Sequence, residues 1–170
     1  MERAHTLVVI RHAKAEDYAA DDHARHLTDS GIAAADDAGR WLASSGVSAD
    51  AAYVSAATRT RETWARLAGA AGWSVEPEYD DALYATDEDG VLEIVCRTDE
   101  AVGTLVVVGH NPSIGVLAQI LDDGEGAADV TERLVSGYPT AGVLVLDVPG
   151  PWAALAPMGA RPRAFHVGRG

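Results

Sequence analysis

The sequence predicts an α/β protein, a three-layer α/β/α arrangement around a mostly parallel central sheet. Three observations carry this. The runs Thr6-Leu7-Val8-Val9-Ile10 and Thr104-Leu105-Val106-Val107-Val108 are apolar without alternation, as in strands buried on both faces. Helical stretches separate the strands, and such crossovers join parallel neighbours covered on both sides. At 170 residues the chain suits one domain with one core, here residues 1–170.

The elements follow in order. Thr6–Ile10 ends abruptly at Arg11-His12, and the polar stretch from Ala13 to Arg25 reads as a loop. Thr28 is placed as an N-cap, with Ile32, Ala35, Gly39 and Leu42 at helical spacing and Gly46 as the stop. Ala51–Ser55 is a second strand. A helix from about Arg59 to Ala71 carries Trp64 and Leu67 on one face, and Gly72 ends it. Val75 to Asp81 reads as a short strand and loop, and Asp87 to Arg97 as a helix capped by Thr86 or Asp87. After the Val-rich strand, Asn111 is read as an N-cap and Pro112 as the first helical residue of a helix to Leu121. Asp122 to Gly126 is an acidic loop. Gly142–Val148 and Trp152–Leu155 are expected as late strands, and Arg161-Pro162-Arg163 as the start of a polar tail.

Charge narrows the function classes. With 26 acidic residues against 13 Lys and Arg, the formal charge is −13. That argues against sequence-independent nucleic-acid binding and against anionic membrane surfaces, because both require excess cations. No apolar run approaches a membrane span, and Met1-Glu2-Arg3-Ala4-His5 lacks a signal-peptide pattern, so a cytoplasmic protein is expected. Cys96 is the single cysteine, which excludes a disulfide framework or a multi-thiolate metal site. No exposed apolar seam is evident, and a monomer is expected.

Ligands of parallel sheets sit beyond the carboxyl ends of the strands. Three polar clusters fall there: Arg11-His12, Ser55 to Arg59, and His110-Asn111. Two arginines and two histidines suit an anion with tetrahedral oxygens, because guanidinium forks bind phosphate by paired, charge-assisted hydrogen bonds. An unprotonated imidazole nitrogen attacks phosphorus, and its other nitrogen needs an acceptor, such as a backbone carbonyl of the following loop, to fix the tautomer. Taken singly, each residue has a plainer reading. His12 is a strand-end histidine, His110 caps the next helix, and Arg59 pairs with Glu62 across a helical turn.

Other phosphate chemistries do not fit. The only lysine, Lys14, lies in no P-loop frame, and Val102 stands where a cysteine phosphatase needs arginine six residues after Cys96. No Gly-x-Ser-x-Gly elbow occurs. The pairs Asp36-Asp37, Asp80-Asp81 and Asp122-Asp123 read as solvated surface. Asp21-Asp22-His23-x-x-His26 is the best metal candidate, but its ligand spacing is weak, and neither metal nor cofactor is expected.

These residues resemble the histidine phosphatase superfamily, the group with phosphoglycerate mutases and acid phosphatases, and most closely the SixA-like phosphohistidine phosphatases. Arg11-His12-Ala13 resembles the Arg-His-Gly signature after the first strand. Arg25-His26-Leu27-Thr28-Asp29-Ser30-Gly31 matches an Arg-x-Leu-Thr-x-x-Gly pattern, and Ser55 to Thr63 a Ser-x3-Arg-x3-Thr pattern. Gly109-His110-Asn111-Pro112 matches the second-histidine motif, and Tyr138 to Gly142 looks like the late strand entry.

The resemblance implies a phosphoglycerate mutase-like fold and a metal-independent phosphatase with His12 as the phosphorylated nucleophile. It implies that Arg11, Arg59 and His110 complete the phosphate pocket, with Arg25 a further contributor. Inorganic phosphate would be the product. Ala13 replaces the usual glycine, and Ala56 the common proline. No mutase-style glutamate is identifiable after Ser55, and Glu16, Glu78, Asp80 and Asp81 are the candidates for a general acid. A missing acid tilts the expectation toward phosphohistidine on a protein, whose leaving imidazole is protonated readily. A small-metabolite phosphomonoesterase is the alternative, and a noncatalytic phosphate-binding module a third reading. At this length the pocket is expected to be shallow.

Overall fold

The computed structural model describes residues 4–170, so Met1, Glu2 and Arg3 of the N-terminal reading lie outside the described residues. Six strands form one sheet in the order β3-β2-β4-β1-β5-β6. They are β1 (His5–Arg11), β2 (Ala51–Ser55), β3 (Glu78–Asp80), β4 (Thr104–Gly109), β5 (Gly142–Val148) and β6 (Arg161–Val167). Neighbours among β1 to β4 pair in parallel, while β5 runs antiparallel to both β1 and β6.

The continuous apolar strands are buried on both faces because successive side chains point to opposite sides. Val8, Ile10, Val106 and Val108 pack with Leu42 of α1 (Asp29–Ser44) and with Trp64 and Leu67 of α2 (Thr58–Ala71). Leu7, Val9, Leu105 and Val107 pack on the other face, against α4 (Glu88–Cys96), α5 (Ser113–Leu121) and α6 (Ala128–Val135). The result is the expected three-layer architecture. A four-residue helix, α3 (Ala82–Ala85), follows β3.

Local signals explain most boundaries. The Thr28 hydroxyl accepts from the Gly31 amide at 3.0 Å, as an N-cap does, and Asp87 does the same for Gly90. Gly72 closes α2 in the left-handed region at φ 75°, where a side chain is strained. The start of α5 is shifted by one: Pro112 stands at the N-cap position without a side-chain bond. Asn111 still satisfies the helix, its Oδ1 accepting from the Gly115 amide at 3.1 Å.

Two late expectations are corrected. Trp152–Ala154 is a single 3₁₀ turn rather than a strand, with Trp152 fully buried and its indole N–H donating to the Val102 carbonyl at 2.8 Å. Arg161 onward is edge strand β6 rather than a tail. Its pairing with β5 shifts register between Val145 and Leu146, which pair with Ala164 and Pro162. A proline that cannot donate to a ladder is tolerated at such an edge and irregularity.

Candidate active site

Parallel pairing brings the polar clusters together. Arg11 is in register with Gly109, and Val54 with Val108, so β1, β4 and β2 end side by side. The chain continues from those ends into His12 and His110, next to Ser55, and the His12 amide donates to the Gly109 carbonyl at 3.0 Å. Arg11, His12, Asp17, Arg25, Arg59 and His110 help to line one open cleft of about 340 Å³.

His12 is buried, and its Nδ1 lies 2.7 Å from the Ala13 carbonyl oxygen. A carbonyl only accepts, so Nδ1 carries the proton and Nε2 keeps its lone pair. Ala13 therefore supplies the tautomer-fixing carbonyl expected from the loop, and its own methyl is accommodated in full burial. Burial, aided by Arg59, Arg11 and Arg25, pushes the His12 pKa down from 6.5 to about 4, although the Ala13 bond acts in the opposite direction. The His110 ring lies 5.4 Å away, centre to centre. Burial, then Arg59 and His12, lower its pKa to about 3. Both imidazoles are neutral at pH 7.

This has a consequence for stability. Unfolded histidines take up protons near 6.5, so the stabilisation from holding these two neutral is complete above that value. It is lost as pH falls toward the folded values near 4 and 3. Thermal denaturation should show Tm falling by at least about 5 °C between pH 7 and pH 4. A His12→Gln/His110→Gln double variant should lose part of that fall.

The arginines are held from outside the cleft. The Arg11 Nη1 donates to the Tyr138 carbonyl at 3.0 Å. Arg59, on the first turn of α2, donates to the Asp22 carbonyl at 2.9 Å and to its carboxylate at 3.2 Å. It pairs with Asp22 and not with Glu62, which instead contacts His26 and accepts from the Leu27 amide at 3.2 Å. The Asp22 carboxylate also accepts from Arg25 Nε at 2.9 Å and from the Tyr84 hydroxyl at 2.6 Å. The Tyr84 bond, with Arg59 and Arg25 beside it, holds the Asp22 pKa down at about 2. Arg25 lines the cleft with its guanidinium engaged by Asp22 and by the Glu16 carbonyl at 2.8 Å.

Among the described residues, three buried side-chain nitrogens have no partner: Arg11 Nε, Arg59 Nε and His110 Nδ1. All three belong to residues lining this cleft. Buried polar groups are ordinarily satisfied, and the two arginine Nε–H groups can only donate, so this unpartnered set beside a neutral imidazole marks a place for an acceptor-rich ligand. A tetrahedral oxyanion has that chemistry.

Several positioning groups, some of them inside the motifs quoted above, have a role that the motifs alone do not reveal. The Thr63 hydroxyl donates to the Arg59 carbonyl at 2.7 Å and accepts from the Ala13 amide at 3.0 Å, tying α2 to the loop that follows β1. The amide of Ala141 donates to the His12 carbonyl at 3.0 Å, and Tyr138 O also accepts from Asn111 Nδ2 at 2.9 Å. Gly31 lets the Lys14 carbonyl approach so closely that a Cβ there would sit 2.0 Å from its oxygen. Tyr84 and Asp17 carry no functional signal in the sequence, because an isolated aromatic or a loop aspartate has no distinguishing spacing.

The acid candidates do not gather over the cleft. Glu78 and Asp80 line a different cleft with Tyr53 and Arg97. The described contacts of Glu16 are made by its backbone. The Asp21–His26 group diverges: Asp21 accepts from the His23 amide, Asp22 faces the arginines, and His26 faces Glu62. Among the described residues, no three His, Cys, Asp or Glu side chains form a metal-type cluster, and no helix is long and apolar enough to cross a membrane.

Comparisons with known proteins bear on the family and the fold. The uncharacterized protein Rv1276c of Mycobacterium tuberculosis is 39% identical over 162 residues, covering 94% of this chain and 100% of the relative. A candidate phosphohistidine phosphatase SixA from Nakamurella multipartitia superimposes with TM-score 0.85 at 32% identity, over 97% of this chain and 96% of the other. A protein histidine phosphatase SixA complexed with tungstate matches in fold, with TM-score 0.78 at 20% identity over 95% and 96% of the two chains. The family model for branch 1 of the histidine phosphatase superfamily matches residues 7–141, from the first strand through the late strand entry, and the chain belongs to that family.

Proposed function

We propose that the chain is a metal-independent phosphatase acting through a covalent phosphohistidine on His12, with phosphohistidine on a protein as its preferred substrate class. The observation that carries the reading is the neutral His12 with Nδ1–H committed to Ala13, which leaves the Nε2 lone pair for attack. Nε2 forms a bond to phosphorus as the bond to the leaving group breaks. Arg11, Arg59 and His110 supply donors to the phosphoryl oxygens, where charge is spread in the transition state. Water then attacks phospho-His12, the P–N bond breaks, inorganic phosphate leaves, and Nε2 recovers its lone pair. Arg25 contributes positive charge at the rim while bound to Asp22.

The leaving group sets the substrate preference. A substrate imidazole departs with a proton taken from solvent, whereas an alkoxide needs a positioned acid. The open cleft of about 340 Å³ admits a phosphorylated side chain presented on a protein surface. The similarity to SixA proteins supports the same reading.

Asp17 favours a second reading. It lines the cleft and, as an acid, would protonate the alkoxide of a small phosphomonoester. A rate panel decides between them. The expected result is a kcat/KM at least about tenfold higher on phosphohistidine protein than on sugar or glycerate phosphates, unchanged by EDTA and little changed by Asp17→Asn. Highest activity on one metabolite, with loss in Asp17→Asn, would assign the phosphomonoesterase. Binding of phosphate without turnover or an acid-labile phosphoenzyme would leave only a binding module.

A further inference from the structure

Ser55 is fully buried at the end of β2, and its hydroxyl oxygen lies 2.7 Å from Nε2 of His110. Its backbone is fixed, because the Thr60 hydroxyl donates to the Ser55 carbonyl at 2.7 Å. The hydroxyl has one proton and two lone pairs. The Ala57 amide approaches one lone pair at 3.5 Å. The remaining question is which partner in the Ser55–His110 bond holds the proton.

The other side of the His110 ring answers it. Nδ1 is buried and has no protein partner, in a residue lining the same cleft as His12, Arg11 and Arg59. A neutral imidazole has one N–H. If that proton sat on Nε2, the Nδ1 lone pair would meet an oxyanion and repel it. If Ser55 donates to Nε2, the proton sits on Nδ1 and becomes a donor to the oxyanion.

We propose that Ser55 is a positioning residue that fixes His110 as the Nδ1–H tautomer, so that this neutral histidine serves as a hydrogen-bond donor to the bound phosphoryl group. The inference rests on the reading that a phosphoryl group binds between His12 and His110. It also explains how two neutral histidines in one cleft take opposite duties. Both carry their proton on Nδ1. In His12 that proton is spent on the Ala13 carbonyl, which leaves a lone pair for phosphorus. In His110 the lone pair is spent on Ser55, which leaves a proton for oxygen. The division of labour is set by a carbonyl in one case and a hydroxyl in the other, with no difference in charge.

The test is nitrogen-15 NMR of the histidine rings in the full chain at pH 7, with tungstate as the binding probe. His110 in the wild type should show a protonated Nδ1 and an unprotonated Nε2. In Ser55→Ala the two tautomers should mix, and tungstate affinity should fall about tenfold, as expected for one hydrogen bond to a charged group. Because Ser55 acts through His110, Ser55→Ala/His110→Ala should bind tungstate within about twofold of His110→Ala. A wild-type His110 protonated on Nε2 overturns the proposal, as do losses that multiply in the double variant. The wild-type spectrum decides the matter even if Ser55→Ala fails to fold. Failure of the phosphatase reading is distinguishable, because it appears as absent turnover and absent phospho-His12 while the His110 tautomer stands.

Discussion

The His12→Ala variant is expected to lose phosphatase turnover by a factor of about 10⁴ or more, while folding and binding tungstate within about tenfold of wild type. The split follows from geometry. His12 stands at the end of β1, outside the two large apolar clusters that hold the sheet faces, so its removal leaves the core intact. Arg11 remains anchored by Tyr138, Arg59 by Asp22, and His110 by Ser55, so the oxyanion donors persist. What disappears is the Nε2 lone pair, the only protein group in the proposed sequence of steps that forms a bond to phosphorus. Rapid acid quench with a labelled phosphohistidine protein should trap an acid-labile phosphoenzyme in wild type and none in the variant. Turnover within about tenfold of wild type would remove His12 from the nucleophile role, whatever the pocket binds.

The strength of local signals decides which parts were legible in the sequence. The buried strands were readable because Leu7–Ile10 and Leu105–Val108 are apolar on both faces, and the strand ends announce themselves where Arg11-His12 and His110-Asn111 begin. Parallel topology then predicts convergence, and the register of β1 with β4 delivers it. By contrast, α6 buries only Val130 and Leu134, one pair a single turn apart, which is too little periodicity to register. Pro162 between two arginines masks β6 because an edge strand with a register shift needs neither a full ladder nor strict alternation. Trp152 looks strand-like by composition, yet its burial is satisfied by one turn and an indole bond.

Site chemistry shows the same division. Residues proposed to meet the oxyanion lie at strand ends and in short motifs, whereas those that orient them act across long sequence separations. Asp22 lies in a polar loop and reads only as part of a weakly spaced metal candidate, and nothing local announces partners as distant as Arg59 and Tyr84. Thr63 closes the Ser-x3-Arg-x3-Thr pattern, but the pattern does not show that its hydroxyl bridges Arg59 and Ala13.

Arg59 carries the second large expected effect. Arg59→Ala should lower kcat/KM by about 10²–10³-fold, the range for loss of one preorganised oxyanion donor. Arg59 is only 6% exposed, so its charge would act on a bound phosphoryl group in a partly desolvated cleft. Its Nη atoms are fixed by two acceptors on Asp22, while the buried Nε has no partner among the described residues. Arg59→Lys should recover less than about tenfold of the loss, because an ammonium is a point donor that cannot hold Asp22 and an equatorial oxygen in one plane. Asp22→Ala provides the contrast. It keeps the guanidinium but removes the carboxylate that clamps Arg59, Arg25 and Tyr84, and kcat/KM should fall about tenfold. Steady-state rates on phosphohistidine protein and tungstate affinities would order the three variants. If Arg59→Ala stayed within tenfold of wild type, Arg59 would lose its place as a phosphoryl donor. If Asp22→Ala were faster than wild type, the carboxylate would act as a competitor for the arginines rather than as their anchor. In a chain of net charge −13, the distinction matters: the same negative charge either repels the phosphoryl group or holds in place the cations that bind it.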